Sequence, residues 1–202
     1  MRYLGLTLDS HWSFRAHFEG LGPRVEGAAA VMARLLPNLG GPREEVRRLY
    51  VGVVRSMILY GSPIWAGELT AGRRSWAKVE GVQRRLAVRI VRGYRTISAR
   101  AALVLARVMP FDLQAKMEAR VYWKIREGCG GSGGDPLPEQ EIRALRLQAR
   151  QDTLAEWRRG LEESSSHRTV GAILTNWDGW LGRGWGRLSF RLTQVLTGNG
   201  CF

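Results

Sequence analysis

Lysine is nearly missing from this 202-residue chain: there are three, against twenty-eight arginines. Acidic residues are also few, eighteen Asp and Glu against thirty-one Lys and Arg, which leaves a formal charge of +13. There are two cysteines, Cys129 and Cys201, far apart in the chain. That is too few for a disulfide-stapled scaffold and suits a reducing, intracellular compartment. No apolar run approaches the roughly 18–20 residues of a membrane span, and no charged-then-apolar signal segment opens the chain. The readings excluded are the secreted mini-scaffold and the membrane protein. Histidine is rare too. His11, His17 and His167 show no spacing that pairs them with one another or with cysteine as zinc ligands. What remains is an ordinary apolar share of 45%, enough to bury a core, and a bias towards the planar fork of arginine, which matches phosphate.

Catalytic chemistry is likewise scarce. Two-metal polymerases and nucleases need acidic residues that converge, usually with some close in sequence. Here Asp9, Asp112, Asp135, Asp152 and Asp178 stand alone, and the pairs Glu44-Glu45 and Glu162-Glu163 read as solvated helix faces. No phosphate-cradling glycine loop with its strand and helix is present. The sequence therefore yields no catalytic residues and no metal ligands.

The pattern that is present is mostly helical. Tyr3–Asp9 alternates Leu4, Leu6 and Leu8 with period two, a single strand whose partner should lie outside this chain. From a cap at Ser10, helical spacing runs through Phe14, Phe18, Leu21, Val25, Ala28, Ala29, Met32, Leu35 and Leu36, with a kink or split expected at Gly22-Pro23. A second helix is expected from about Arg43 to Tyr60, burying Val46, Leu49, Tyr50, Val53, Val54, Met57 and Tyr60. A third spans Arg73 to Tyr94 with Val79, Val82, Leu86 and Ile90 inward. Ser98 caps a short helix to Val108, and Asp112 opens another through Ala115 and Ile125. Residues Gly128–Pro138 are glycine- and proline-rich and read as a flexible linker. Beyond it come a weakly amphipathic helix over Glu139–Leu161 and a short helical pattern near Leu188–Leu196. Most tryptophans, Trp65, Trp76 and Trp123 among them, are expected in packing rather than base stacking.

Charge follows the same division. Residues 1–127 carry twenty-two basic and ten acidic side chains; residues 128–202 carry nine and eight. On the third helix Arg74, Lys78, Arg85, Arg89 and Arg92 fall within about 60° at 100° per residue, beside the apolar stripe, with Arg73, Arg84 and Arg95 on an adjoining arc. Residues 73–107 hold ten basic side chains and one acidic one, Glu80. Like charges so close repel unless something neutralises them, and a phosphate backbone does so through bidentate arginine contacts and counterion release.

The residues also carry a resemblance. Tyr3-Leu4-Gly5-Leu6-Thr7-Leu8-Asp9 followed by Trp12-Ser13-Phe14 and His17, then Leu49-Tyr50, Val53–Ser56 and Leu59–Trp65, resemble the region after the palm in non-LTR (LINE-type) retrotransposon reverse transcriptases. Val82–Leu86, Tyr94–Ser98 and Met109-Pro110 continue the match in order. Leu192–Phe202 looks like the lead-in to a zinc knuckle, with Asn199 where the family often has His, and the ligands lying beyond Phe202. The likeness is strongest to arthropod elements that insert into ribosomal RNA genes. It implies a mainly α fold in four parts: a primer-grip strand remnant (1–12), a helical thumb-like bundle (13–127), a linker (128–138) and a small helical connector (139–202). It implies a primer-grip role for Tyr3, Leu4 and Gly5, and template–primer binding by Arg74, Lys78, Arg84, Arg85, Arg89, Arg92 and Arg95. The partners it implies are an RNA template with its DNA primer, in the nucleus, and the fingers and palm of the parent polyprotein. The Mg²⁺ of the parent enzyme would have no ligands in this chain, which reads as a fragment without the polymerase site. The alternatives are a domesticated helical module that binds nucleic acid and a scaffold whose basic face meets an acidic protein.

Overall fold

The computed structural model describes residues 1–37, 42–69, 73–129, 136–163, 168–182 and 188–198. It is mainly α, as the sequence pattern predicts: ten α-helices and one small strand pair among those residues. The front differs from expectation. Instead of a single strand awaiting an outside partner, β1 (Arg2–Tyr3) folds back on β2 (Leu6–Thr7) in antiparallel register, Arg2 opposite Thr7 and Tyr3 opposite Leu6. Leu4 and Gly5 form the two-residue turn, both at positive φ (45° and 84°), the backbone that such hairpin turns need. Leu4 is therefore exposed, while Leu6 is buried in the core.

Helix α1 (Arg15–Arg34) runs unbroken through Gly22-Pro23, so the predicted split does not occur. Phe18, Leu21, Val25 and Ala29 bury one face along its length, and that packing outweighs the lost proline donor. Ser10 is not its cap. The Asp9 carboxylate organises the entry instead, accepting from the Ser13 and His11 amides at 2.9 and 3.0 Å and from the Ser13 hydroxyl at 2.6 Å. Those bonds, the Ser13 hydroxyl first, hold its carboxyl below the usual carboxylate range.

Helix α2 (Glu44–Leu59) turns a different face inward from the predicted one. Val51, Val54, Ile58 and Leu59 are buried together with Arg47, whereas Val46, Leu49, Val53 and Tyr60 face solvent. Short α3 (Ser62–Trp65) and a 3₁₀ turn (Ala66–Glu68) bring Trp65 into an aromatic cluster with Phe18 and Trp76, ring centroids 5.3 to 5.8 Å apart.

Helix α4 (Arg73–Val91) is the axis of the bundle, flanked by α1, α2 and α5 (Ala99–Ala106). The predicted stripe Val79, Val82, Leu86 and Ile90 is buried. α4 ends where Arg92 adopts φ 56° and the Gly93 amide reaches back to the Val88 carbonyl at 2.9 Å, a left-handed stop that satisfies a terminal carbonyl. Ser98 caps α5 as expected, accepting from the Ala101 amide at 3.2 Å.

α6 (Phe111–Gly128) packs on α3, α2 and α7 (Glu139–Glu163). Most of the predicted linker, residues 130–135, lies outside the described residues, as does the end of the knuckle-like segment, 199–202. Two helices that the sequence pattern does not predict follow: α8 (Arg168–Leu174) and α9 (Trp177–Gly182). α10 (Phe190–Thr197) then covers the end of α4, with the Thr193 hydroxyl donating to the Val91 carbonyl at 2.7 Å. Trp157, Leu161, Val170, Ile173, Trp177 and Leu188 join the same core as the first six helices. Of the tryptophans, Trp65 and Trp76 are buried, but Trp123 is half exposed, edge-on to Tyr122 and donating to the Pro63 carbonyl at 3.0 Å.

Candidate nucleic-acid interface

Burial on α4 decides which of its cations remain available. Core packing takes the Trp76, Val79, Val82, Gln83, Leu86, Ala87 and Ile90 side of the helix. The residues left at its edge run Lys78, Arg85, Arg89 and Arg92, spaced so that they line up along the helix. That line follows the seam between α4 and α1. The Lys78 stem lies over Gly22, where a Cβ would meet its Cδ at 3.5 Å. Arg85 stands 3.5 Å from Glu26. Arg89 donates to the Leu36 carbonyl at 3.4 Å and Arg92 to the Pro42 carbonyl at 3.2 Å.

Four of the seven predicted binding cations are thus brought into one row, two are not, and the seventh falls outside the described side chains. Arg84 is turned to the other side, donating to the Ile97 carbonyl through Nε at 3.1 Å and to the Arg95 carbonyl through Nη2. Arg95 is exposed on that loop. Arg74 belongs to α4, but its side chain lies outside the described residues.

Arg85 is weakly neutralised. Arg85 and Glu26 have half-exposed side chains, 55% and 44%, and such a pair contributes about 0–1 kcal/mol in water. A phosphate can displace Glu26 at little cost. Behind the row lies Arg47 of α2, which sequence reasoning missed because an arginine among apolar residues reads as a helix surface. It is fully buried and donates to the Pro42 and Arg89 carbonyls at 2.9 and 2.8 Å and to the Leu36 and Pro37 carbonyls. Burial, then the like charges of Arg92 and Arg89, push its pKa down to about 10.

The predicted primer-grip residues sit at the N-terminal end of α1. Tyr3 and Leu4 are exposed, and the Tyr60 hydroxyl donates to the Leu4 carbonyl at 2.8 Å. Gly5 lies against the Tyr60 ring, where a Cβ would come within 3.3 Å of Cε1. β2 rests on α1 near His17, less than two turns before Gly22, where the cationic row begins. Among the described residues no three His, Cys, Asp or Glu side chains gather as a metal-holding group, and no helix is long and apolar enough to cross a membrane.

An arginine-rich helical bundle led by a hairpin is the class of protein these features define. Comparison with known proteins narrows it: the chain is a relative of the R1 type-1 non-LTR retrotransposon polyproteins. It is 29% identical over 216 residues to a 115 kDa protein in the type-1 retrotransposable element R1DM of Drosophila melanogaster, covering 100% of this chain and 20% of that protein. It is 25% identical over 203 residues to the retrovirus-related Pol polyprotein from the type-1 retrotransposable element R1 of Nasonia vitripennis, covering 98% of this chain and 60% of that protein. A second Nasonia vitripennis Pol polyprotein, from element R1 4, is 25% identical across 100% of this chain and 52% of its own length. The chain therefore spans between a fifth and three fifths of these relatives. No family model matches it, and no solved structure does.

Proposed function

We propose that this chain serves as the thumb and connector of a retrotransposon RNA-directed DNA polymerase and grips the template–primer duplex along the α1–α4 seam. The observation that carries the reading is the row Lys78, Arg85, Arg89 and Arg92 along the seam, with Arg85 held by a half-exposed pair with Glu26. From residue 78 to residue 92 a helix rises about 21 Å, the axial length of about six base pairs. The row thus has the reach to follow one phosphate strand. In this reading the hairpin turn Tyr3–Gly5 meets the primer end, the fingers and palm belong to the rest of the polyprotein, and the work is done in the nucleus. Polymerisation would fall to those other parts, since the isolated Asp residues offer Mg²⁺ no ligand cluster.

Salt-dependent binding to an RNA–DNA hybrid tests it. Lys78→Gln with Arg85→Gln removes two exposed charges and keeps helix propensity, so the fold survives. Each phosphate contact contributes about 0.9 to the slope of log K against log [salt] on a B-form duplex, so the double variant should flatten the slope by nearly two units. Sequence preference should not change, because phosphates carry no sequence information. The matched control, Arg143→Gln with Arg146→Gln on α7, should change it far less. Equal losses from the two pairs would reduce the attraction to bulk charge and refute the seam.

A further inference from the structure

A second cationic site lies away from the seam, in a groove of about 440 Å³ between α2, α6 and α7. Its volume is in the range of small-ligand sites and far too small for a duplex. Four guanidiniums line the groove, those of Arg48, Arg55, Arg107 and Arg150. Two carboxylates lie against them. Glu44 Oε1 accepts from Arg48 at 2.6 Å and stands 3.8 Å from Arg107, while Glu118 stands 3.8 Å from Arg55. Among the described residues Arg150 makes no hydrogen bond or ion pair, so its charge is open to a ligand. Burial, then the charge of Arg48, lowers the pKa of Arg107, and Glu44 only partly offsets this.

Met117, Leu154 and Trp157 give the groove an apolar part. Gln114 also lines the groove. It is buried, and its amide nitrogen is committed to the Met109 carbonyl at 2.6 Å, while its Oε1 accepts no hydrogen bond from the described residues. A ligand that satisfies all three features has an anionic end, a flat apolar body and an N–H donor. A fatty acid lacks the donor, and inorganic phosphate lacks the body. We propose that the groove binds a nucleoside phosphate, the phosphate on Arg48, Arg107 and Arg150 and the base along Met117, Leu154 and Trp157 with Gln114 Oε1 as acceptor. The phosphate can come from a free nucleotide or from the single-stranded end of a nucleic acid.

The test is calorimetric titration of the full chain with adenosine 5′-monophosphate, alongside adenosine and inorganic phosphate. Saturable binding of the nucleotide, at least about tenfold tighter than either part, is the expected result. Arg150→Gln should weaken it about tenfold, as the loss of a charge-assisted hydrogen bond does. Arg159→Gln, the same charge change on an exposed part of α7, should leave it unaltered. A 5′-phosphorylated single-stranded hexanucleotide that competes identifies a strand end as the source, and one that does not compete identifies the free nucleotide; both keep the site. Phosphate binding as tightly as the nucleotide, or equal losses from the Arg150 and Arg159 variants, would overturn the proposal. The assay uses no duplex, so it can fail while the seam stands, and the reverse.

Discussion

Arg47 holds the corner where α1 ends and α2 begins with no carboxylate partner among the described residues. Its fork instead closes the carbonyls of Leu36, Pro37, Pro42 and Arg89, so the residue ties three elements together through backbone alone. Arg47→Met keeps the bulk and strands those acceptors, each worth about 1–3 kcal/mol when buried and unpaired. A loss of about 3 kcal/mol or more is expected in urea unfolding, and Arg47→Lys should recover only part of it. A loss under about 0.5 kcal/mol would mean that the carbonyls reach water without it. His17 makes a pH-dependent counterpart. It is buried among Phe14 and Phe18, its Nε2 has no hydrogen-bond partner, and burial first and Arg24 second push its pKa below the ordinary value of about 6.5. The unfolded chain therefore takes up a proton that the folded one resists. The stability this group contributes is complete above about pH 6.5 and falls as the pH drops from there towards the lower folded pKa. His17→Phe, which fits the aromatic surroundings and cannot titrate, should flatten that part of the stability curve. If the variant keeps the wild-type acid limb between pH 6.5 and 5, the slope arises elsewhere.

At the scale of elements, the meeting of hairpin and helix at Gly61 carries the front of the fold. Gly61 sits at φ 71°, and a Cβ there would fall 2.8 Å from Leu6 Cδ2. Gly61→Ala should then cost about 2–3 kcal/mol, combining left-handed backbone strain with displacement of a core leucine. Leu6→Ala in the same background should recover part of the clash, so a double-mutant cycle reads the coupling directly. This corner also shows where the sequence was legible. The α4 stripe, the Ser98 cap and the cationic row were all readable, because one apolar face stood against one charged face and period alone fixed the phase. The inward face of α2 was not. Val46, Leu49, Val53 and Tyr60 make as good an apolar arc as Val51, Val54 and Ile58, roughly 140° away, and only the neighbours α1, α4 and α6 choose between them. Nothing among the described residues covers the outward arc. The hairpin escaped notice for a different reason: strands of two residues have no period to detect, and Leu4-Gly5 reads as strand until its positive φ is seen. The groove arginines come from α2, the end of α5 and α7, and no spacing in one dimension brings them together.

For the whole molecule, the glycine-rich composition of residues 128–138 and the shared core make a joint prediction. Glycine-rich connecting segments are by composition preferred sites of nicking, so limited proteolysis should cut there first. The pieces should nevertheless stay together, because Trp157, Ile173 and Trp177 lie in the core formed by the earlier helices and Trp180 Nε1 donates to the Val104 carbonyl at 2.9 Å. Denaturing gels should show two fragments while gel filtration shows one particle of unchanged size. Separation into two species would mean that the C-terminal helices form a unit of their own.

The Thr193 hydroxyl on the Val91 carbonyl sets an order of events on the ribosome. The two residues are 102 positions apart, and at about 5–20 residues per second the donor follows its acceptor by about 5–20 s. Throughout that interval the nascent chain presents the Val91 carbonyl without its Thr193 donor, with the apolar surface that α10 will cover still open to a chaperone.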